Sequence, residues 1–271
     1  MAIHISTAPN GAEASHAVTV PAAHDIEVRA LTSSDLMDAL RLGFDDFKAK
    51  PSHMFVLGLL YPFAAAIAAG AALDHNFVPL LFPIATGFAL TGPFAAIVLY
   101  EISYRRERGQ NFTWLEIGAV FKAASSWAVI ILGLAAFGLW LVTAQAIFNA
   151  AMGGVSTSTL FEFLEYVLTT PQGWALIIFG NAAGFVFAAI VLASNVVSFP
   201  MLLDRNVGAP AAVATSLRVT AASPFTIALW GLIIAGSMLI GFVTVIGMAV
   251  ILPVIGHASW HVYRKAVARA S

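Results

Sequence analysis

Two histidines, His257 and His261, stand four residues apart near the end of the chain, within Leu252–Arg264 (LPVIGHASWHVYR). On a helix that spacing puts both imidazoles on one face, where they could share a metal ion or hold a haem edge. A metal centre needs further ligands, and the sequence offers none: no Asp or Glu follows Asp204, and there is no cysteine. Trp260, Tyr263 and Arg264 stand beside the histidines, and such amphipathic rings and stems crowded at a helix end suit an interfacial belt facing lipid head groups. The belt is the reading adopted, with the imidazoles hydrogen-bonded to neighbouring helix ends. His257 and His261 remain weak metal candidates, and no catalytic residue or cofactor is assigned.

The other polar groups in apolar surroundings are Thr91, Gln145, Asn149, Asn181 and Asn195. Amides and hydroxyls in a membrane helix bond between helices for about 1 kcal/mol or less each, or line a substrate path. Gly92-Pro93, with Pro62, Pro79 and Pro83, could break helices as transporters do around their sites, or could serve packing. Gly180, Gly184 and Ala188 repeat at four, as do Ala66 and Gly70, a pattern that lets helices approach closely. No P-loop, dinucleotide fingerprint, zincin motif or nucleophile elbow occurs at a usable position, so no enzyme reading has residues to rest on.

These residues sit in a chain of 271 that is 60% hydrophobic and 10% charged, with mean hydropathy +0.88. Soluble domains carry about 25% charged residues, so an ordinary water-soluble fold is excluded. A net charge of −1 gives no case for nucleic acid. The absence of cysteine removes disulfides, thiolate chemistry and iron–sulfur ligation. Residues 1–32 lack the basic start and apolar run of a signal peptide and read as a flexible tail; His4, His16 and His24 are spaced too irregularly to ligate. Residues 33–268 read as a single membrane domain.

A span needs roughly 20 apolar residues. The hydropathy pattern predicts an all-α polytopic bundle of six spans: Met54–Leu73, Phe77–Tyr100, Trp127–Phe148, Gly173–Leu203, Phe225–Ile240 and Val243–Tyr263. The last two form one uncharged run from Phe225 to Gly256, which as a single helix would be about 48 Å long, and five spans are the alternative. Basic residues decide. Short cytoplasmic loops are rich in Lys and Arg; with six spans all 13 of them fall on one side, whereas residues 74–76 and 149–172 hold none. Both termini are therefore expected in the cytoplasm.

A similar short segment precedes each odd-numbered span: Ser34–Lys50, Thr113–Ala124 and Pro210–Ala222. Phe47-Lys48, Phe121-Lys122 and Leu217-Arg218 align as apolar–basic pairs, giving a threefold repeat of interfacial helix, span, span. In the first segment Leu36, Leu40, Phe44 and Phe47 form the expected apolar stripe, with Ser33 or Ser34 capping and Pro51 closing the helix.

Four stretches together, LMDALRLGFDDF, SFPMLLDR at Ser198–Arg205, SLRVTAASP at 216–224 and the GHxxWHxYR ending, resemble a domain-of-unknown-function family of bacterial, mainly proteobacterial, integral membrane proteins. The resemblance covers about residues 25–268 and implies a multi-span inner-membrane protein, with no activity attached. A looser likeness to the membrane domains of glycerophosphodiesterases brings no chemistry, because no catalytic domain is present. The expected role is a non-enzymatic accessory, assembly or scaffold protein whose partners are the lipid bilayer and other membrane proteins. A small-molecule or lipid transporter is the alternative, and a haem- or metal-binding membrane protein the weaker one.

Overall fold

A computed structural model describes residues 25–49, 92–111, 113, 116, 124–155, 159–244 and 247–269. The first expected span, most of the second, Pro62, Pro79, Pro83, Thr91 and most of Thr113–Ala124 lie outside the described residues. The described part is helical: α1 Ser33–Ala49, α2 Gly92–Glu107, α3 Ala124–Met152, α4 Leu160–Thr169, α5 Pro171–Asn195, α6 Ser198–Asp204, α7 Ala209–Ala222, α8 Pro224–Thr244 and α9 Met248–Ala266. Gly92 and Pro93 open α2, in the first turn where proline is tolerated.

α1 begins with a capping box. Thr32 Oγ1 accepts from the Asp35 amide at 3.3 Å, while the Asp35 carboxylate accepts from the Thr32 amide at 2.9 Å. Thr32 thus takes the place expected of Ser33 or Ser34, because Asp35 stands where a capping-box acid must, three residues on. The buried face is Leu36, Ala39, Gly43, Asp46 and Phe47. Phe44, expected in the stripe, is 45% exposed and stacks on Phe47 at 6.3 Å. Two successive steps of four overshoot two helical turns, whereas the step of seven from Leu36 to Gly43 nearly closes them.

Three described stretches are long and apolar enough to cross a membrane: Ser126–Met152, Pro171–Asp204 and Pro224–Gly241. Large apolar side chains such as Ile131, Val142, Phe179, Phe185, Leu232 and Val243 are exposed along them, which suits helices with hydrocarbon as solvent. Most of their large buried side chains gather at one end, while Ala144 and Met152 are buried further along α3. Val129 and Ile130 near the start of α3, Val196 and Val197 just past α5, and Ile227 and Trp230 near the start of α8 share one core with Leu36, Trp260 and Tyr263. α3 and α8 therefore leave a common platform and α5 returns to it. The last apolar run folds as two helices, α8 and α9, with Gly241 packed against Met248. α8 ends at Thr244 and α9 begins at Met248, a few residues beyond the expected Gly241-Phe242 turn.

At the other end, Gly153 and Gly154 take positive φ (53° and 86°) to stop α3, conformations that glycine adopts without a Cβ clash. The stretch 149–172, expected as a polar loop, contains α4, started by the Thr159 hydroxyl accepting from the Glu162 amide. Phe163 stacks on Phe148 of α3 at 6.4 Å. Gly184, the middle residue of the Gly180, Gly184, Ala188 repeat, faces the Trp140 ring of α3, so that part of the motif serves packing within the chain.

Of the tail expected over 1–32, residues 1–24 lie outside the described residues and 25–32 form an ordered strap. Ile26 and Leu31 are buried. The Arg29 amide donates to the Ala266 carbonyl at 2.8 Å and the Ala268 amide to the Glu27 carbonyl at 3.2 Å, an antiparallel bridge centred on Val28 and Val267. The Leu31 amide donates to Ser223 Oγ at 2.7 Å, and Thr226 Oγ1 to the Leu31 carbonyl at 2.9 Å. The strap thus touches both the start of α8 and the end of α9, so these helices run out and back.

α1 packs closely along α9. A Cβ added at Gly43 would lie 2.6 Å from the Ala258 nitrogen and 2.7 Å from the Val254 carbonyl oxygen, backbone atoms that cannot step aside. Gly43→Ala is expected to destabilise by about 3 kcal/mol, the upper part of the overpacking range, against about 1 kcal/mol gained in helix propensity. Gly236→Ala, whose Cβ meets nothing within 4 Å, should be neutral or stabilising. Thermal unfolding of both variants in detergent checks this.

Candidate functional site: a buried polar seam

Polar chemistry concentrates where α1, α2, α6 and α9 meet. Asp46, 8% exposed, projects from the inner face of α1. Its Oδ2 accepts from Ser103 Oγ of α2 at 2.6 Å and lies 2.9 Å from His261 Nε2 of α9. Its Oδ1 accepts from the Arg106 guanidinium at 2.8 Å. Ser103 Oγ also lies 2.7 Å from Nδ1 of the fully buried His257, whose ring makes a further hydrogen bond to the Leu99 backbone carbonyl.

Burial pushes the Asp46 carboxyl upward. Hydrogen bonds from His261 and Ser103, with the charge of both imidazoles, outweigh it and hold the carboxyl below its usual value. A buried carboxylate survives this way, with its lone pairs occupied by donors.

A second group adjoins it. Tyr263 Oη donates to Asp204 Oδ2 of α6 at 2.6 Å and Arg264 donates to the same oxygen at 2.8 Å. Arg205 Nε donates to Tyr263 Oη at 3.2 Å and its guanidinium reaches the Ala268 carbonyl. Glu107, at the end of α2, accepts from Trp260 Nε1 at 3.3 Å and Arg264 Nε at 2.9 Å, and pairs with Arg269. Tyr104 meets the Trp260 ring edge-on at 5.6 Å, and Trp260 meets Tyr263 at 5.5 Å.

This overturns the belt. Trp260, Tyr263 and His257 are 0% exposed, so their rings face other helices of the chain and not lipid head groups. The imidazoles do bond neighbouring helices, His257 through Ser103 and Leu99 of α2 and His261 through Asp46 of α1. Asp46, Ser103, Glu107 and Asp204 were missed from sequence. A signal existed: Asp46 and Asp204 belong to the LMDALRLGFDDF and SFPMLLDR stretches, and the fold brings both against GHASWHVYR. Among the described residues no group of three or more His, Cys, Asp or Glu is placed to hold a metal ion.

The other expected site residues do not converge. Gln145 donates to Asn149 on its own helix at 2.8 Å. Asn181 donates to the Ile177 carbonyl of α5 at 2.7 Å. Asn195 accepts weakly from Ser198 at 3.5 Å. These contacts are local caps and back-bonds rather than helix glue.

An outward apolar surface on three long helices is what a bilayer requires, and the comparisons with known proteins agree with it. Residues 81–204 match the family described as predicted integral membrane protein (DUF2189). The DUF2189 region runs to the end of α6 and includes Ser103, Glu107 and Asp204. Asp46, His257 and His261 lie on either side of it. No curated protein and no solved structure matches the chain.

Removing the Asp46 carboxylate leaves Arg106 and His261 facing a buried gap. Asp46→Ala should cost about 3–5 kcal/mol, as for other broken buried pairs, read as a loss of thermal stability in detergent. Asp46 has a folded pKa below its unfolded one. Its contribution is present above about pH 4, the ordinary carboxylate value, and disappears as pH falls through the lower folded value. Tyr263→Phe, which removes one donor to a charged acceptor, should cost about 2 kcal/mol.

Proposed function

We propose that this chain is a non-enzymatic inner-membrane protein, an accessory, assembly or scaffold component that holds a polar platform at the cytoplasmic face for partners in or on the membrane. One observation carries the reading. The long apolar helices expose hydrocarbon-like surface with their amides satisfied locally, while the dense polar structure lies in the platform at one end. A transporter needs polar groups converging near the midplane; Gln145, Asn149 and Asn181 instead bond within their own helices.

In this reading the chain crosses the bilayer six times, with both termini in the cytoplasm. The pairing of Val28 with Val267 supports an even count, since it joins the chain before α1 to the chain after α9. The distribution of Lys and Arg supports the cytoplasmic side. α1 and α7 are the segments that the proposed repeat sets before its first and third pairs of spans, and α7 is followed by the helices α8 and α9.

Purification in mild detergent followed by native mass spectrometry tests the role. Stoichiometric co-purifying protein supports it, and a retained metabolite without protein contradicts it. Reporter fusions test the topology: both termini should report cytoplasm and a fusion within 149–172 periplasm. A periplasmic C-terminus would remove the six-span arrangement.

A further inference from the structure

The end of the molecule away from the platform carries a bare apolar surface on a short helix. α4 has ten residues, Leu160–Thr169, about 15 Å of helix, far too short to cross a hydrocarbon core of about 30 Å. At about 3.6 residues per turn, its side chains fall into three sectors. Phe163, Tyr166 and Val167 face the bundle, where Val167 is buried and Phe163 stacks on Phe148 of α3 at 6.4 Å. Phe161, Leu164 and Leu168 form an exposed apolar sector, with Phe161 75% exposed. Glu162 and Glu165 form an exposed acidic one. With the packed sector against the bundle, one flank of α4 is therefore apolar and the opposite flank acidic.

What covers the apolar flank follows from its neighbour. Trp174, in the first turn of α5, is exposed and donates its indole N–H to the Leu168 carbonyl at 3.0 Å. A Cβ at Gly173 would collide with the Val167 backbone, so the end of α4 and the start of α5 make one tight corner. Ile178 and Phe185 continue from Trp174 along one face of α5, and both are exposed. That stripe belongs to the surface that hydrocarbon covers. Through Trp174 the apolar flank of α4 runs on into it without a break.

We propose that α4 is an in-plane membrane anchor, seated in the lipid interface at the end of the bundle away from the platform. Phe161, Leu164, Leu168 and Trp174 lie among the acyl chains, about 5–10 Å into the boundary between head groups and hydrocarbon. Glu162 and Glu165 stay in the head groups and water, and the cost of sinking a carboxylate sets how deep the helix goes. Residues 149–172 hold no Lys or Arg, so the attachment is apolar and owes nothing to anionic lipid. The anchor fixes the depth at which the α3–α5 pair sits, as interfacial aromatic side chains do for a span. It rests on α3 and α5 crossing the bilayer.

The chain has no cysteine, so single nitroxide labels can be placed on the full protein in phosphatidylcholine nanodiscs that hold a single copy. Power saturation then compares access of oxygen, which concentrates in lipid, with access of a water-soluble nickel chelate. Labels at Leu164→Cys and Leu168→Cys should give an oxygen-to-nickel ratio several-fold above that at Glu165→Cys. Phe185→Cys, exposed along α5, reads the span itself and should favour oxygen most. If Phe185 lies in lipid but Leu164 and Leu168 meet nickel as freely as Glu165, the anchor is overturned and the span stands. Shielding of Leu164 and Leu168 from both reagents overturns the anchor as well, because the chain itself then covers them. Nickel access at Phe185 overturns span and anchor together. Added phosphatidylglycerol or salt should leave the ratios unchanged, and insertion that needs anionic lipid contradicts an apolar attachment.

Discussion

A carboxylate buried among helices cannot stand without donors, and Asp46 sets that constraint for the platform. Its two oxygens take a hydroxyl and a guanidinium from α2 and an imidazole from α9. Those donors reach it only if α1 lies flush against α9, and the missing side chain of Gly43 is what permits that approach. Apolar packing in lipid gives no hydrophobic drive between helices, so polar contacts and close fit must settle how the platform assembles. Docked there, α1 is tied further by the Val28–Val267 bridge and by the paired Lys265 and Asp35.

The aromatic residues then have a clear task. Trp260 and Tyr263 fill the space between α2, α6 and α9, each with its polar tip bonded: the indole to Glu107 and the phenol to Asp204. Large rings bury about 150–250 Å² each, and with their donors satisfied they add that area without an unpaired polar atom. Arg264 spans both acids and lies over the Trp260 ring at 4.9 Å. One motif therefore closes the seam from the α9 side.

Much of the fold was legible in the sequence. The apolar runs behind α3, α5 and α8 match the expected spans within a few residues, and the segments expected as amphipathic helices before the first and fifth spans are α1 and α7. The seam was harder to read. Trp, His, Tyr and Arg gathered at a helix end look alike whether they face lipid or other helices, and the partners that distinguish the two lie far away in sequence. Asp45 and Asp46 are the same residue type side by side, one paired with an exposed Lys48 and the other buried. Only the helix phase separates them, and a stripe drawn through Phe44 places that phase slightly wrong. The strap at residues 26–31 has no periodicity of its own; its order comes from α8 and α9.

The most direct test of the seam is a double-mutant cycle between Asp46 and His261, measured by unfolding Asp46→Asn, His261→Gln and the double variant in detergent. Residues in direct contact within one network couple by about 0.5–3 kcal/mol. A coupling of at least 1 kcal/mol is the result predicted here, with the double variant less unstable than the sum of the singles. Additive effects would place the two side chains apart and contradict a platform built around the Asp46 carboxylate.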